Sequence, residues 1–123
     1  MNILPVVPTL KLASAVTALL GTSPLRVWED IAPSGTAYPY AVWSVVTANP
    51  ENHLDCAANI DHVSFQIVVY DTQQKRASDI RAAIRRALEP HCYVTNIHLN
   101  HFERIADTNI FGRGFDANWF LDR

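Results

Sequence analysis

The most regular pattern of apolar and polar positions lies between His62 and Leu88. Apolar side chains occupy every second position from Val63 to Val69, which predicts a strand with one buried face. Helical spacing then replaces this period, and one apolar stripe contains Ala77, Ile80, Ile84, Ala87 and Leu88. Asp71 precedes the helix where it can cap the free amides, and Gln74 can reach back to complete a capping box. Pro90 ends the helix, so the segment predicts a half-buried strand followed by a capped amphipathic helix.

The rest of the chain predicts one more helix and four more strands. The helix begins at Pro8 or Thr9 and ends at Leu20, because Gly21 suits the position just after a helix. The strands are predicted at 25–28, 40–47, 94–103 and 115–121, with a turn at 109–114 before the last strand. Hairpin-like connections favour an α+β fold in the order α-β-β-β-α-β-β. The sheet is expected to be mainly antiparallel, with four to five strands and two helices packed on one face.

Two segments have surfaces that this predicted fold does not use. The first helix has Lys11 as the only charge on its outer side, so this side either contacts a partner or lies under a loop. The polar segment 48–61 is long for a hairpin connection. We expect its residues 49–61 to be mobile in the free protein and ordered by a binding partner.

Composition predicts a single small globular domain over residues 1–123, because 49% of the residues are hydrophobic and 18% are charged. The net charge of −2 provides no general attraction to nucleic acid or anionic lipid. The apolar stretch 3–20 contains Pro5, Pro8 and Lys11, so we expect no membrane span, and the N-terminus lacks the basic region of a secretory signal. Two cysteines are too few for a disulfide framework, so the sequence favours assembly in the cytosol.

No motif for catalysis, metal binding or cofactor binding emerges from the residue spacing. His98 and His101 would point to opposite faces of one strand, and so could not share a metal ion. Cys56 and Cys92 lack the paired spacing typical of zinc ligands, and Cys92 is expected to be a small buried residue. The chain has no Gly-x-Ser-x-Gly elbow, and its four glycines form no phosphate-binding loop. We therefore predict that the protein is not an enzyme and has no cofactor.

The predicted second helix carries one notable charged feature. Against Asp79 and Glu89 it presents five cations, Lys75, Arg76, Arg81, Arg85 and Arg86. These residues form either an ordinary solvated face, whose late arginines complement the helix dipole, or a patch that faces phosphate or an acidic partner surface. Because the chain has a negative net charge and no base-stacking motif, sequence-specific recognition of nucleic acid is not expected.

Proline and aromatic residues recur in a characteristic order along nearly the whole chain. The pattern consists of Val27-Trp28, Ala32-Pro33, Tyr38–Val42, Phe65–Asp71, Ala87-Leu88, then Asp107, Gly112-Arg113-Gly114 and an aromatic last strand. It resembles the tail completion proteins of long-tailed bacteriophages, which are also called tail terminators or tail-to-head joining proteins.

The resemblance implies a structural virion protein located in the tail, at the head–tail junction. It implies a ring, expected to be a hexamer, that caps the tail tube, stops its polymerisation and joins the tail to the head connector. The implied partners are further copies of the chain, the tube protein, the connector protein and DNA that passes through the channel without sequence recognition. The five cations of the second helix would then face the channel or an adjoining ring.

Two other classes of protein remain open. A small α+β ligand-binding module would use the strand face that contains His98, Asn100 and Phe102. A nucleic-acid-binding module would use the cations of the second helix, and its affinity would fall steeply with salt. The size of the protein in solution distinguishes a ring from either module.

Overall fold

The computed structural model describes residues 4–22, 24–50 and 60–122. In this part of the chain the helices are α1 (Val6–Lys11), α2 (Ser14–Leu20) and α3 (Gln74–Leu88). The strands are β1 (Val27–Glu29), β2 (Tyr40–Pro50), β3 (Ile60–Asp71), β4 (Tyr93–Ile97), β5 (His101–Ile105) and β6 (Thr108–Asp122).

All six strands belong to one sheet in the order β1-β2-β3-β6-β4, and β5 also pairs with β6. The pairing of β1 with β2 is parallel, whereas the other pairings are antiparallel. The predicted α+β class is confirmed. Its details differ, because the sheet is mixed and has six strands, and the described chain has three helices in the order α-α-β-β-β-α-β-β-β.

The predicted first helix is instead two short helices, α1 and α2, separated by an extended residue at Ala13. The buried side chains explain the break. Val6 and Leu10 are buried in α1, and Val16 and Leu20 are buried in α2. One straight helix would place Val16 about 120° around its axis from Leu10, so it could not bury both pairs against one core.

The C-terminal strands also differ from the prediction. The predicted strand 94–103 is two strands, β4 and β5, which lie one after the other along the same edge of β6. The turn predicted at 109–114 is wrong, because these residues belong to β6. The chain reverses at Ala106 and Asp107, which both have positive φ, as expected for a two-residue hairpin loop.

The core lies between the sheet and the helices. α3 packs on β3 and β6, and α1 and α2 pack against α3 and against each other. Alternate residues of β3 from Val63 to Val69 are buried, as the sequence period predicts, and the residues between them are half-buried on the other face. Phe65 is fully buried, with the ring centroids of Trp43 and Trp119 at 6.5 and 6.2 Å. The helices therefore cover one face of the sheet.

The polar connection predicted at 48–61 is shorter than expected at both ends, because β2 continues to Pro50 and β3 begins at Ile60. Residues 51–59 lie outside the described part of the chain, so the prediction of mobility there stays a prediction. Among the helices that the structure describes, none combines the length and the apolar character that a bilayer span requires.

Candidate functional site

Three of the five cations on α3 bind acids of the same chain. Lys75 Nζ lies 2.9 Å from Asp79 Oδ2, and Arg85 Nε lies 3.4 Å from Glu89 Oε2. Both pairs are one helical turn apart and largely exposed, so each adds at most about 0.5 kcal/mol to stability. Their charges are nevertheless compensated locally.

Arg76 is the third paired cation, and its partner is the fully buried carboxylate of Asp71. The guanidinium donates from Nε at 2.6 Å and from Nη2 at 2.7 Å, a two-point contact. These hydrogen bonds raise the pKa of Arg76. Arg76 therefore anchors the start of α3 to the end of β3, and its charge is compensated within the chain.

The prediction that Asp71 caps this helix is wrong. The cap residue is Gln73, whose side chain makes no capping hydrogen bond, and the helix begins at Gln74. Asp71 lies on the buried face of β3, two residues too early, and Oδ1 accepts hydrogen bonds from the amides of Thr72 at 2.7 Å and Gln73 at 3.3 Å. The carboxylate thus organises the turn before the helix.

Arg81 lies in a different environment, because it faces other cations. Its side chain is half-buried, and Nη1 is buried without a hydrogen-bond partner. Burial lowers the pKa of Arg81, and the positive charges of Arg113 and Arg85 lower it further. Among the residues that the structure describes, no carboxylate lies within ion-pair distance of Arg81.

Arg113, on β6, is the functional candidate that sequence reasoning missed, because the glycines beside it indicated a turn. Only 3% of its surface is exposed. Its Nη1 donates to the carbonyls of His101 at 3.1 Å and Gly112 at 2.9 Å, and the guanidinium lies 5.7 Å from the centroid of the Phe111 ring. No carboxylate in the described ranges pairs with this buried charge. An arginine between two glycines on an aromatic strand was the available signal.

The five predicted cations therefore do not form one face. Arg76 and Arg81 lie about 140° apart around the axis of α3, on opposite sides of its buried stripe. Arg86 is exposed, and the described part of the chain provides it with no ion-pair partner. Around α3, the positive charges without an acidic partner among the described residues are therefore that of Arg86, on the outer side of α3, and those of Arg81 and Arg113, on one flank of the helix.

The two edges of the sheet expose apolar side chains. All of β5 is exposed, including Phe102 and Ile105, and Leu99 just before it is 92% exposed. Phe102 contacts Phe111 of β6 at a centroid distance of 5.4 Å. At the opposite edge, Ile31 follows β1 and is 79% exposed. The described chain thus has an apolar edge around β5 and one exposed apolar residue, Ile31, at the opposite edge.

The sheet face away from the helices holds a small polar cluster. His98 Nε2 lies 2.8 Å from Asp116 Oδ1, and the imidazole packs on Gly114. His98 and His101 line the same pocket of about 220 Å³, so the prediction that they face opposite sides of one strand is wrong. The chain breaks between β4 and β5, which allows both side chains to meet there.

The structure also separates the residues of the predicted ligand-binding face. Phe102 pairs across from Phe111 on the helix side of the sheet, whereas His98 lies on the other side, so the two do not share a face. Within the described residues there is no group of three potential metal ligands.

A comparison with sequence families decides between the remaining classes. The profile of the tail completion protein gp17 family matches residues 5–114, which is most of the chain. The chain belongs to this family. The resemblance stated from the sequence is confirmed, and the protein is a structural component of the virion tail.

The fold of this tail completion protein is found in a solved particle. A chain in the structure titled "Virion of native gene transfer agent (GTA) particle" has a similar fold, with a TM-score of 0.56 at 17% sequence identity. The match covers 94% of this chain and 92% of that chain. No curated protein sequence matches significantly.

Two other features of the tail completion protein have structural explanations. Cys92 is buried in the core as predicted, and burial together with the charge of Glu89 raises the pKa of its thiol to about 11. A pocket of about 420 Å³ lies beside Gly21 and the loop after β1, and its one cation is Arg26. This guanidinium donates to the carbonyls of Pro39 and Leu19, so it supports the loop.

Proposed function

We propose that this tail completion protein forms a hexameric ring that caps the tail tube, ends its polymerisation and joins the tail to the head connector. One observation carries the proposal: several apolar side chains are exposed around β5, and Ile31 is exposed after β1 at the opposite edge of the sheet. A ring built head to tail uses two different patches on each subunit, one for each neighbour.

The edge formed by β5 supports an interface for a second reason. An exposed strand presents unpaired backbone groups, and proteins usually protect such an edge with charges, bulges or a covering element. Here Glu103 and Arg104 provide two charges on β5, but Leu99, Phe102 and Ile105 are exposed beside them. A neighbouring subunit would remove these side chains from water, which favours association.

We further propose that α3 faces the channel or an adjoining ring through its charged residues. The candidates are the five cations predicted from the sequence, Lys75, Arg76, Arg81, Arg85 and Arg86. Since Lys75, Arg76 and Arg85 are already bound to acids, contact with passing DNA would be weak and screened by salt. Weak contact suits a channel that DNA must leave freely. We also infer that the protein has no catalytic centre.

The test has a solution arm and a phage arm. Light scattering on a size-exclusion column should give a mass of six subunits, in the free protein or after addition of the phage's own tube protein. Deleting the gene from its phage should give unjoined heads and tubes of uneven length in electron micrographs, and the supplied protein should restore joined particles. A protein that stays monomeric with the tube protein, in a phage whose tails are normal without it, contradicts the proposal and favours a small binding module.

A further inference from the structure

The starting observation is a pair of cations whose charge the described chain does not compensate. Only 3% of the surface of Arg113 is exposed, and its Nη1 donates hydrogen bonds to two backbone carbonyls. Arg81 beside it has a buried Nη1 with no hydrogen-bond partner. A buried charge is unfavourable unless an opposite charge and hydrogen bonds accompany it. This flank of α3 is therefore suited to an anion.

Unpaired carboxylates lie at the other edge of the sheet. Glu29 ends β1 and Asp30 follows it, and both are exposed. Neither takes part in an ion pair within the ranges that the structure describes. Glu29 shares its face of β1 with the buried Val27, so it lies on the helix side of the sheet, as Arg113 does.

The sheet register places the two charged groups at similar heights along the strands. Val27 pairs with Ala41, Ala41 pairs with Val69, and Val69 pairs with Arg113. Glu29 is thus two residues along the strand from the row that contains Arg113. Two subunits placed edge to edge need only a small shift along the strand axis to bring these charges together.

We propose that Glu29 and Asp30 of one subunit bind Arg81, beside Arg113, of the next subunit. This contact rests on the proposed ring and identifies the surfaces that form it. The occupant is a second copy of this chain because the complementary charges lie on its opposite edges. Each charged group also has an exposed apolar neighbour, Ile31 beside the acids and Phe102 near the arginines.

The test uses two variants that reverse charge at one edge each. Arg81→Glu removes the cation, and Glu29→Lys with Asp30→Lys removes the acids. Each variant alone should reach half-assembly only at a protein concentration about thirtyfold or more above that of the wild type. This factor corresponds to the lower end of the binding free energy lost when one partner of a desolvated charge pair is removed. Mixing the two variants should restore assembly, because alternating subunits form one wild-type contact and one contact in which both charges are reversed and again complementary.

Matched controls separate this contact from a general effect of charge. Lys11→Glu makes the same change at an exposed position of α1, and Asp79→Lys makes the matching change for the acids. Both should assemble as the wild type does. Arg81→Glu should fold, because the new carboxylate can pair with Arg113, and its melting temperature should be no lower than that of the wild type. Arg81→Gln provides a second variant with a smaller expected loss of assembly.

The outcomes distinguish this contact from the ring itself. If the wild type forms a hexamer and Arg81→Glu assembles like Lys11→Glu, the ring stands and the contact is wrong. If Arg81→Glu keeps the ring but loses retention on heparin or DNA, the anion is phosphate and the contact is again wrong. For a wild type that assembles only on tails, the same variants are scored by complementation of a phage lacking the gene. Rescue by the two variants together, and by neither alone, supports the contact, whereas no joint rescue overturns it.

Discussion

Replacing Asp71 by alanine removes the most connected polar group that the structure describes at the start of α3. The carboxylate is fully buried and accepts four hydrogen bonds, two from Arg76 at 2.6 and 2.7 Å and two from the amides of Thr72 and Gln73. It therefore connects the end of β3, the turn and the first turn of α3.

The size of the stability loss distinguishes two roles for Asp71, as a helix cap or as one partner of a buried ion pair. Loss of a helix cap alone would lower the free energy of unfolding by about 0.5–2 kcal/mol. Breaking a buried ion pair usually costs about 3–5 kcal/mol, and because the Arg76 side chain is 34% exposed we expect about 2–4 kcal/mol for Asp71→Ala. Arg76→Ala should cost at least as much, because it leaves the carboxylate buried with only two amide donors. At about 4 °C per kcal/mol, the melting temperature should fall by about 8–16 °C.

Urea unfolding of Asp71→Ala, Arg76→Ala and the double variant measures the coupling between the two side chains. The double variant should be little less stable than either single variant, since the ion pair is lost only once. Lys75→Ala is the control, because it removes an exposed pair on the same helix and should cost at most about 0.5 kcal/mol. If Asp71→Ala costs less than about 1 kcal/mol and the effects simply add, the buried ion pair does not hold this junction.

Three further predictions concern the core and the open face. Gly114→Ala would place a Cβ 2.6 Å from a backbone carbonyl of β3 and 2.7 Å from the His98 ring, so it should lower stability by about 1–3 kcal/mol in thermal melts; an unchanged melt contradicts the close packing. Phe65→Ala should cost about 3–5 kcal/mol in urea unfolding, and a cost under about 1 kcal/mol would show that the site is not a rigid core. Because the pKa of Cys92 is raised to about 11, the folded state keeps the thiol proton that the unfolded chain loses near pH 9. The stability of Cys56→Ser, in which Cys92 is the one thiol, should therefore fall between about pH 9 and 11. It should fall less in a variant that also lacks Cys92.

The sequence predicted those helices and strands in which apolar residues repeat at a regular spacing over neighbouring positions. The strand from Val63 to Val69 and α3 were identified because one buried face determines every second or every third to fourth residue. The α+β class followed from their order. The first helix was predicted as one piece because propensity and glycine placement do not report the break at Ala13. That break depends on where the core lies.

The C-terminal region shows why local signals failed there. Glycines at 112 and 114 indicated a turn, yet both belong to β6. Gly114 is required in the strand because His98 and the backbone of β3 approach it closely. A contact of this kind joins residues far apart in sequence, so no local pattern encodes it.

The sequence by itself determined the family, the fold class and the positions of the charged residues of α3, because these depend on residue order and local period. Tertiary structure alone decided which of those charges are free. Asp71 neutralises Arg76 across the turn, whereas Arg81 meets a second cation, Arg113, that the sheet brings under the same helix. Charge compensation and burial depend on distances between separate elements, and these distances exist only once the sheet has formed.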